Sequence, residues 1–317
     1  MLHPSPTPTS FVVHELHAGG AFEPMSDQQL WDALTRTFQS PGYQPPMLPP
    51  VATELLQLSG RETVHYARLT ALLEKDAVLA RRVLELCRSP YYCADGPIRS
   101  LEAAVVRLSL PKLRDVVMEA ALGACVFKTH GYSEAVDRVR VHATAVAHLA
   151  RAITRFTSFE ADSAFLCGLL HDVGLSAALV ALGEVAQGER LRPVVDLWPA
   201  LASLHETVGG SVATLWQLPA EVGMVVRLHH RLKVGEVVHP VAAIVTLAES
   251  IACEHGYGLV PPPLKVRGEQ QPSLLFGPQR IDVPSFQQVL LARSALGFDA
   301  PRLEQVRAAC REVVKML

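Results

Sequence analysis

Residues Ala164 to Leu179 read AFLCGLLHDVGLSAAL. The segment is apolar along almost its whole length and favours a helix packed in a core. Two polar residues, His171 and Asp172, interrupt it side by side. A buried imidazole and a buried carboxylate need either a bound ligand or hydrogen-bond partners within the core. The sequence on either side of the pair helps to decide between a bound ligand and hydrogen-bond partners in the core.

Amphipathic helical patterns continue in both directions from this segment. Upstream, HYARLTALLEKD and AVLARRVLELCRS space their leucines at the 3.6-residue period of a helix. Downstream, PALASLHETVGGSVATLWQL and HPVAAIVTLAESIACEHG do the same. No run of strict polar and apolar alternation predicts a strand. We therefore predict an all-α fold, built as a two-part helical bundle.

Composition changes divide the chain into four predicted parts. Residues 1–25, rich in Pro, Ser and Thr, are predicted to be a flexible lead. Residues 26–130 form an N-terminal helical subdomain, and residues 131–258 a second one that contains His171 and Asp172. Residues 259–317 are predicted to hold a proline-rich loop and a C-terminal helix.

The bulk composition restricts the classes of function and the compartment. Hydrophobic residues make up 49% of the 317 residues, and the net charge is -2. A balanced charge and the lack of a nucleic-acid motif do not favour nucleic acid binding.

The six cysteines form no CxxC pair and are predicted to be reduced thiols. The first residues, MLHPSPTPTS, do not resemble a signal peptide, and no uninterrupted apolar run is long enough to span a bilayer. We expect a cytoplasmic protein without a membrane segment.

Histidines and acids interrupt several helices of the second subdomain. The candidate metal ligands are His142, His171, Asp172, His205, His229, His230 and Glu249. Imidazole and carboxylate suit Fe, Mn, Zn, Ni or Mg, and helical bundles build such sites from side chains of facing helices. Neighbouring side chains on a helix diverge by about 100°. The two members of an adjacent His–Asp pair can therefore bind two ions, or one can bind an ion while the other contacts a group that surrounds it. A hydrogen-bonded polar core without metal is the alternative. His148, six residues after His142, is expected on another face of its helix.

The HDVG sequence at residues 171–174 resembles the motif of the HD superfamily of metal-dependent phosphohydrolases. In that family an earlier histidine, the HD pair and a later aspartate hold a metal. The resemblance implies that His142 is the first histidine and that His205, His229 and His230 are the added histidines of two-metal branches. Glu249 stands where the final aspartate is usual.

The first subdomain narrows the resemblance to one branch. LPPVATELLQL, LTALLEKDAVLARRVLELCRSPYY and IRSLEAAVVRLSLPKLRDVV resemble the N-terminal half of the HDOD domain, the HD-related output domain of bacterial signalling proteins. The resemblance covers about residues 45–258. It departs from the family at Arg88–Ser89, where Asn-Ser is frequent, and at Leu108–Ser109, where Leu-Gly is frequent.

The resemblance leaves two classes of function open. HDOD domains are mostly regulatory, which implies a bacterial signalling module that acts through protein partners. Many active relatives have a lysine directly after the HDxG motif, where this chain has Leu175. The alternative is a metal-dependent phosphohydrolase or phosphodiesterase, in which Arg227 or Arg231 would meet a phosphate. One ion, two ions or none are all compatible with the sequence. It identifies no signalling partner and no oligomeric state, although residues 1–25 and the loop at 260–280 are candidate docking segments.

Overall fold

The computed structural model describes residues 24–40, 42–58, 65–89, 92, 98–129, 131–159, 161–185, 191–259, 265–266, 269–270 and 284–317. The predicted flexible lead, apart from its last two residues, and most of the predicted proline-rich loop lie outside these ranges. The predicted all-α fold is confirmed. Within the described ranges, the only strands are two hairpins of two-residue strands, β1–β2 (Lys233–Val234, Val237–Val238) and β3–β4 (Lys265–Val266, Glu269–Gln270).

Six α-helices precede the second subdomain and are followed by a π-helical turn. They are α1 (Asp27–Gln39), α2 (Pro50–Gln57), α3 (Tyr66–Glu74), α4 (Ala77–Cys87), α5 (Leu101–Arg107) and α6 (Leu110–Ala121), with the π-helical turn at Leu122–Val126. Helices α2 and α4 pack on α6, and α6 contacts the helix at Ala164–Leu170 that leads into the HDVG motif. Asp76 caps α4 by accepting hydrogen bonds from the backbone amides of Val78 and Leu79.

Eight further helices complete the described chain. They are α7 (Ser133–Thr154), α8 (Ala164–Leu170), α9 (Val173–Val185), α10 (Val194–Leu215), α11 (Ala220–Leu228), α12 (Pro240–Glu254), α13 (Phe286–Ala295) and α14 (Ala300–Val314). Helix α7 lies at the centre and packs against α8, α9, α12 and α14. Apolar side chains from both halves join in one core. The C-terminal helix predicted from the sequence corresponds to α14, whereas α13 was not predicted.

Helix α1 packs against helices of the second half of the bundle, although it lies within the predicted N-terminal half at residues 26–130. It contacts α9 and α10, and the Ser203 hydroxyl donates a 2.6 Å hydrogen bond to the Asp27 carboxylate. The backbone amide of Met25 donates to the carbonyl of Asp196 at 2.8 Å. Met25 and α1 therefore help to hold α10, which carries one of the candidate ligands.

The apolar segment containing His171 and Asp172 forms the middle of the core. Residues 164–184 have the length and composition that could cross a membrane, but their apolar window is fully buried in the bundle. A core helix passes the same test. The helix is broken at His171 and Asp172, which form a turn between α8 and α9. The polar pair is thus placed at a junction of two core helices.

Candidate metal centre

Four elements bring six of the seven predicted ligands together. Helix α7 carries His142, the α8–α9 turn carries His171 and Asp172, α10 carries His205, and the end of α11 carries His229 and His230. We call these six residues the histidine cluster. Five of them have at most 2% of their surface exposed, and His230 is partly exposed. Such burial means that their polar atoms must be satisfied within the site.

Two glycines allow the helices to approach closely enough to form the cluster. A Cβ atom on Gly174 would lie 2.0 Å from the carbonyl oxygen of His205 and 2.6 Å from the amide nitrogen of Gly209. A Cβ atom on Gly168 would lie 2.9 Å from the Cα of Ala147. Both contacts are with backbone atoms, which cannot rotate away. The glycine of the HDVG motif therefore sets the distance between α9 and α10, and with it the distance from Asp172 to His205.

Asp172 is shared by two groups of donor atoms. Its Oδ2 lies 3.2 Å from Nε2 of His171 and 3.6 Å from Nε2 of His142. Its Oδ1 lies 3.3 Å from Nε2 of His229 and 3.6 Å from Nε2 of His205. The side chain of His230 joins the second group, with its Nε2 3.1 Å from Nε2 of His205. One carboxylate between two sets of imidazoles is an arrangement suited to one or two cations.

Backbone carbonyls fix the orientation of four of the imidazole rings. In each ring Nδ1 is within hydrogen-bond distance of a carbonyl oxygen. The four pairs are His142 with Tyr257 (2.8 Å), His171 with Gly168 (2.8 Å), His205 with Ala202 (2.7 Å) and His229 with Val226 (3.3 Å). Because a carbonyl oxygen only accepts, Nδ1 carries the proton in these bonds. In the neutral ring Nε2 then presents its lone pair to the cluster, as in metal-binding histidines.

The pKa values of the cluster favour neutral imidazoles. Burial lowers the pKa of His142 and of His205 to about 4 each, and that of His230 to about 2. Burial opposes ionisation of Asp172, but the neighbouring imidazoles, His171 first, hold the pKa of its carboxyl well below the ordinary value. Near neutral pH these three imidazoles are therefore neutral and the Asp172 carboxyl is ionised, which is the protonation state in which such groups bind metal.

The cluster fits a bound cation better than a closed hydrogen-bond network. Nε2 of His205 lies 3.2 Å from Nε2 of His229, although both rings point a lone pair inward. Nε2 of His142 and both oxygens of Asp172 are buried and make no well-directed hydrogen bond within the described part of the chain. Buried acceptors that face one another without a donor are costly. A divalent cation in each of the two groups of donor atoms would coordinate these acceptors.

The seventh predicted ligand and the two predicted phosphate contacts lie elsewhere. Glu249 is buried on α12 but belongs to neither group of donor atoms identified among the described residues. The guanidinium of Arg227 donates to the carbonyls of Gly223 and Gly210 at 3.0 and 2.6 Å, which joins α11 to α10. Arg231 is 69% exposed and lies 3.6 Å from a carboxylate oxygen of Glu206. The structure therefore does not bring Arg227 or Arg231 into the cluster.

Glu206 is a site residue that the sequence analysis missed. Its Oε1 accepts a 3.3 Å hydrogen bond from the backbone amide of His230 and lies 3.9 Å from Nδ1 of His229. Outer carboxylates of this kind orient metal-binding histidines and raise their basicity. Its position directly after His205 is the feature of the sequence that could have identified Glu206 as a site residue. A glutamate beside a histidine on an amphipathic helix is, however, also typical of a solvated face.

Comparison with known proteins gives one matching family model and several similar structures. The model of the HDOD domain matches residues 46–232, more than half of the chain. An uncharacterized protein of Treponema pallidum (strain Nichols) is 24% identical over 197 residues, which cover 59% of this chain and 38% of that protein. The match thus spans less than half the length of this curated relative.

Three solved structures share the fold at low identity. A protein of Shewanella amazonensis SB2B, described as a candidate metal-dependent phosphohydrolase, has a TM-score of 0.61 at 17% identity and covers 90% of this chain and 99% of its own. An HDOD domain protein of unknown function from Geobacter sulfurreducens has a TM-score of 0.57 at 22% identity, with 90% and 98% covered. A candidate signal transduction protein of Marinobacter aquaeolei VT8 has a TM-score of 0.56 at 20% identity, with 92% and 65% covered. At these identities the likeness shows the fold alone.

Proposed function

The chain belongs to the HDOD family, and from this premise we propose that it is a bacterial, cytoplasmic signalling protein that holds divalent metal at its HD-type site and acts through protein partners. The buried thiols of Cys167 and Cys310, which form no disulfide, support a reducing compartment. The family's regulatory role supports signalling.

One observation carries the metal-binding part of the proposal. The Nε2 atoms of the imidazoles lie 3.1 to 3.6 Å from one another or from the carboxylate oxygens of Asp172. In four of the rings the proton is on Nδ1, which faces a backbone carbonyl, so the lone pair of Nε2 points toward the centre of the cluster. His142, His171 and Asp172 would hold one ion, and Asp172, His205, His229 and His230 a second. Imidazole-rich sites favour Fe, Zn or Ni, and Mn where carboxylate contributes, over Mg. When bound, such an ion acts as a Lewis acid toward a phosphoryl oxygen.

The surroundings of the cluster support a regulatory role over turnover. Leu175, which follows the HDVG motif, is fully buried in the apolar core. No cation is therefore available from this position to meet a substrate phosphate. The side chains of Arg227 and Arg231 are engaged with α10 and with Glu206, as described above.

A metal-dependent phosphohydrolase or phosphodiesterase is the second candidate function. It is favoured by the sharing of Asp172 between two groups of donors, which is the arrangement that two-ion catalysis of phosphoryl chemistry requires. In that function the buried cluster would provide the ions, and activity would depend on both His171 and Asp172.

Turnover by the metal-loaded full chain separates the two functions. The protein is loaded with Mn²⁺, Fe²⁺ or Zn²⁺ in turn, its metal content is measured, and hydrolysis of bis(p-nitrophenyl) phosphate is followed. A signalling module retains metal and gives no hydrolysis above that of the His171→Ala and Asp172→Ala variants. Hydrolysis that is lost in both variants would instead establish the enzyme. A protein that retains no metal under any loading condition would contradict both functions.

A further inference from the structure

The carbonyl that orients His142 has a different origin from those that orient the other three rings. For His171, His205 and His229 the carbonyl belongs to the preceding turn of the same helix, three residues earlier in the sequence. Helix geometry alone brings these three contacts together. The carbonyl that faces His142 is that of Tyr257, 115 residues later in the chain. The tautomer of His142 therefore depends on where a distant loop is held.

The loop that follows α12 carries this carbonyl, and the end of α12 fixes where the loop begins. The amides of Gly256 and Tyr257 donate to the carbonyls of Cys253 and Ala252 at 3.2 and 2.9 Å, a pattern that commonly ends a helix. Gly256 adopts the left-handed φ of +84° that this pattern uses. The loop lies beyond the part of the chain that the HDOD family model matches. This support of the cluster is therefore a feature of the chain's own C-terminal segment.

Arg138 on α7 holds the two carbonyls on either side of that of Tyr257. Its Nη2 donates to the carbonyls of Gly256 and Gly258 at 3.3 and 2.6 Å, and its Nε donates to that of Gly258 at 3.1 Å. Arg138 precedes His142 by one helical turn, so the two side chains lie on the same face of α7. A guanidinium is also favourable at the negative C-terminal end of a helix such as α12. Three successive carbonyls of the loop are thus directed at α7, and the middle one meets His142.

We propose that Arg138 is a positioning residue for the metal group that contains His142, and that it acts by clamping the loop at 256–258 against the ring. The proposal rests on the metal-binding function above. With the loop in place, Nδ1 of His142 keeps its proton and Nε2 offers a lone pair to the ion. Without the clamp the ring is free to take the other tautomer, in which Nε2 carries the proton and cannot bind metal. The ring contacts of His205 and His229 lie within their own helices, so the second metal group is expected to be unaffected.

The tautomer of His142 in the metal-free full chain tests the clamp independently of metal. Long-range proton–nitrogen correlation spectra of the isotope-labelled protein distinguish the two tautomers, and the spectrum of His142→Gln assigns the signals. The wild type should show the Nδ1–H form, and Arg138→Met should shift His142 toward the Nε2–H form. Arg138→Lys keeps a charged donor and should retain more of the wild-type form. Arg140→Met, which removes a partly exposed arginine of the same helix, is the matched control and should retain all of it.

Chelator competition with Zn²⁺ tests the consequence for metal binding in the same full-length variants. Arg138→Met should weaken the ion of the first group about 10–100-fold, as the loss of an outer partner of a metal ligand typically does. In a His205→Ala background, which removes a ligand of the second group, this loss should persist. In a His171→Ala background, which removes a ligand of the first group, Arg138→Met should cause no further loss, because the two changes act on one site.

The two backgrounds distinguish a positioning role from a general structural role of Arg138. An unchanged tautomer in Arg138→Met, in a protein whose wild type binds Zn²⁺, would overturn the clamp alone. A tautomer shift without a change in Zn²⁺ affinity would overturn its role in metal binding. A loss of equal size in the His171→Ala background would do the same, because it would mark a general loss of structure. A wild type that binds no Zn²⁺ would overturn the metal-binding function as well.

Discussion

Replacement of Gly174 by alanine tests how the HDVG glycine builds the site. The added Cβ would lie 2.0 Å from the carbonyl oxygen of His205, whereas Cβ contacts below 3.0 Å are essentially not observed. Helices α9 and α10 would therefore have to separate by about 1 Å at this crossing, in a core where packing is tight. Overpacking of this kind costs about 1–3 kcal/mol, and we expect the loss in free energy of unfolding at the upper end, about 3 kcal/mol. The better helix propensity of alanine offsets at most about 1 kcal/mol.

Two other glycines provide a graded control for this substitution. Gly168→Ala brings its Cβ to 2.9 Å from Ala147 and should cost less, about 1–2 kcal/mol. Gly123→Ala meets only the Arg140 side chain, at an ordinary 3.8 Å, and should stay within about 1 kcal/mol of the wild type. Urea unfolding of the metal-free variants, followed by circular dichroism, measures the series. A Gly174→Ala protein as stable as Gly123→Ala would refute the close crossing of α9 and α10.

Three further predictions concern the charged groups. Because burial lowers the pKa of His142 and of His205 to about 4, below the ordinary 6.5, the unfolded chain binds protons more readily than the folded chain. The free energy of unfolding of the metal-free protein should therefore fall by about 3 kcal/mol per histidine as the pH falls from about 7 to 4. Urea unfolding at a series of pH values measures this loss, and a urea midpoint that does not change with pH would contradict it. Asp115→Ala removes the buried carboxylate that pairs with Arg114 and Arg151 and should cost about 3–5 kcal/mol in urea unfolding, and a cost below about 1 kcal/mol would contradict this role of Asp115. Glu206→Gln should weaken metal binding about 10–100-fold in a chelator competition, and unchanged affinity would remove Glu206 from the site.

The parts of the fold that could be predicted are those with strong local patterns. The leucine spacing of α3 and α4 depends on near neighbours in the sequence, and it predicts these two helices directly. Helix α13 was missed because its periodicity is weak, and only Ala292 of its residues is buried. The break at His171 and Asp172 was also missed, because the apolar pattern continues across it from α8 to α9.

The site could be predicted only where residue chemistry is unusual in its surroundings. Histidines in apolar helices are rare enough to single out His142 and His205, which the structure brings together. The partners of Arg227 and Arg231 depend on how α10 and α11 cross, which no local pattern encodes.

The metal content of the purified full chain tests most directly whether the histidine cluster is a metal site. Inductively coupled plasma mass spectrometry is applied to the protein as purified, after chelation, and after reloading, with the Asp172→Ala variant treated in parallel. We predict one to two transition-metal ions per chain, restored on reloading and lost in the variant, since Asp172 belongs to both groups of donors. A chain that holds no transition metal at any stage, or a variant that holds as much as the wild type, would contradict the claim.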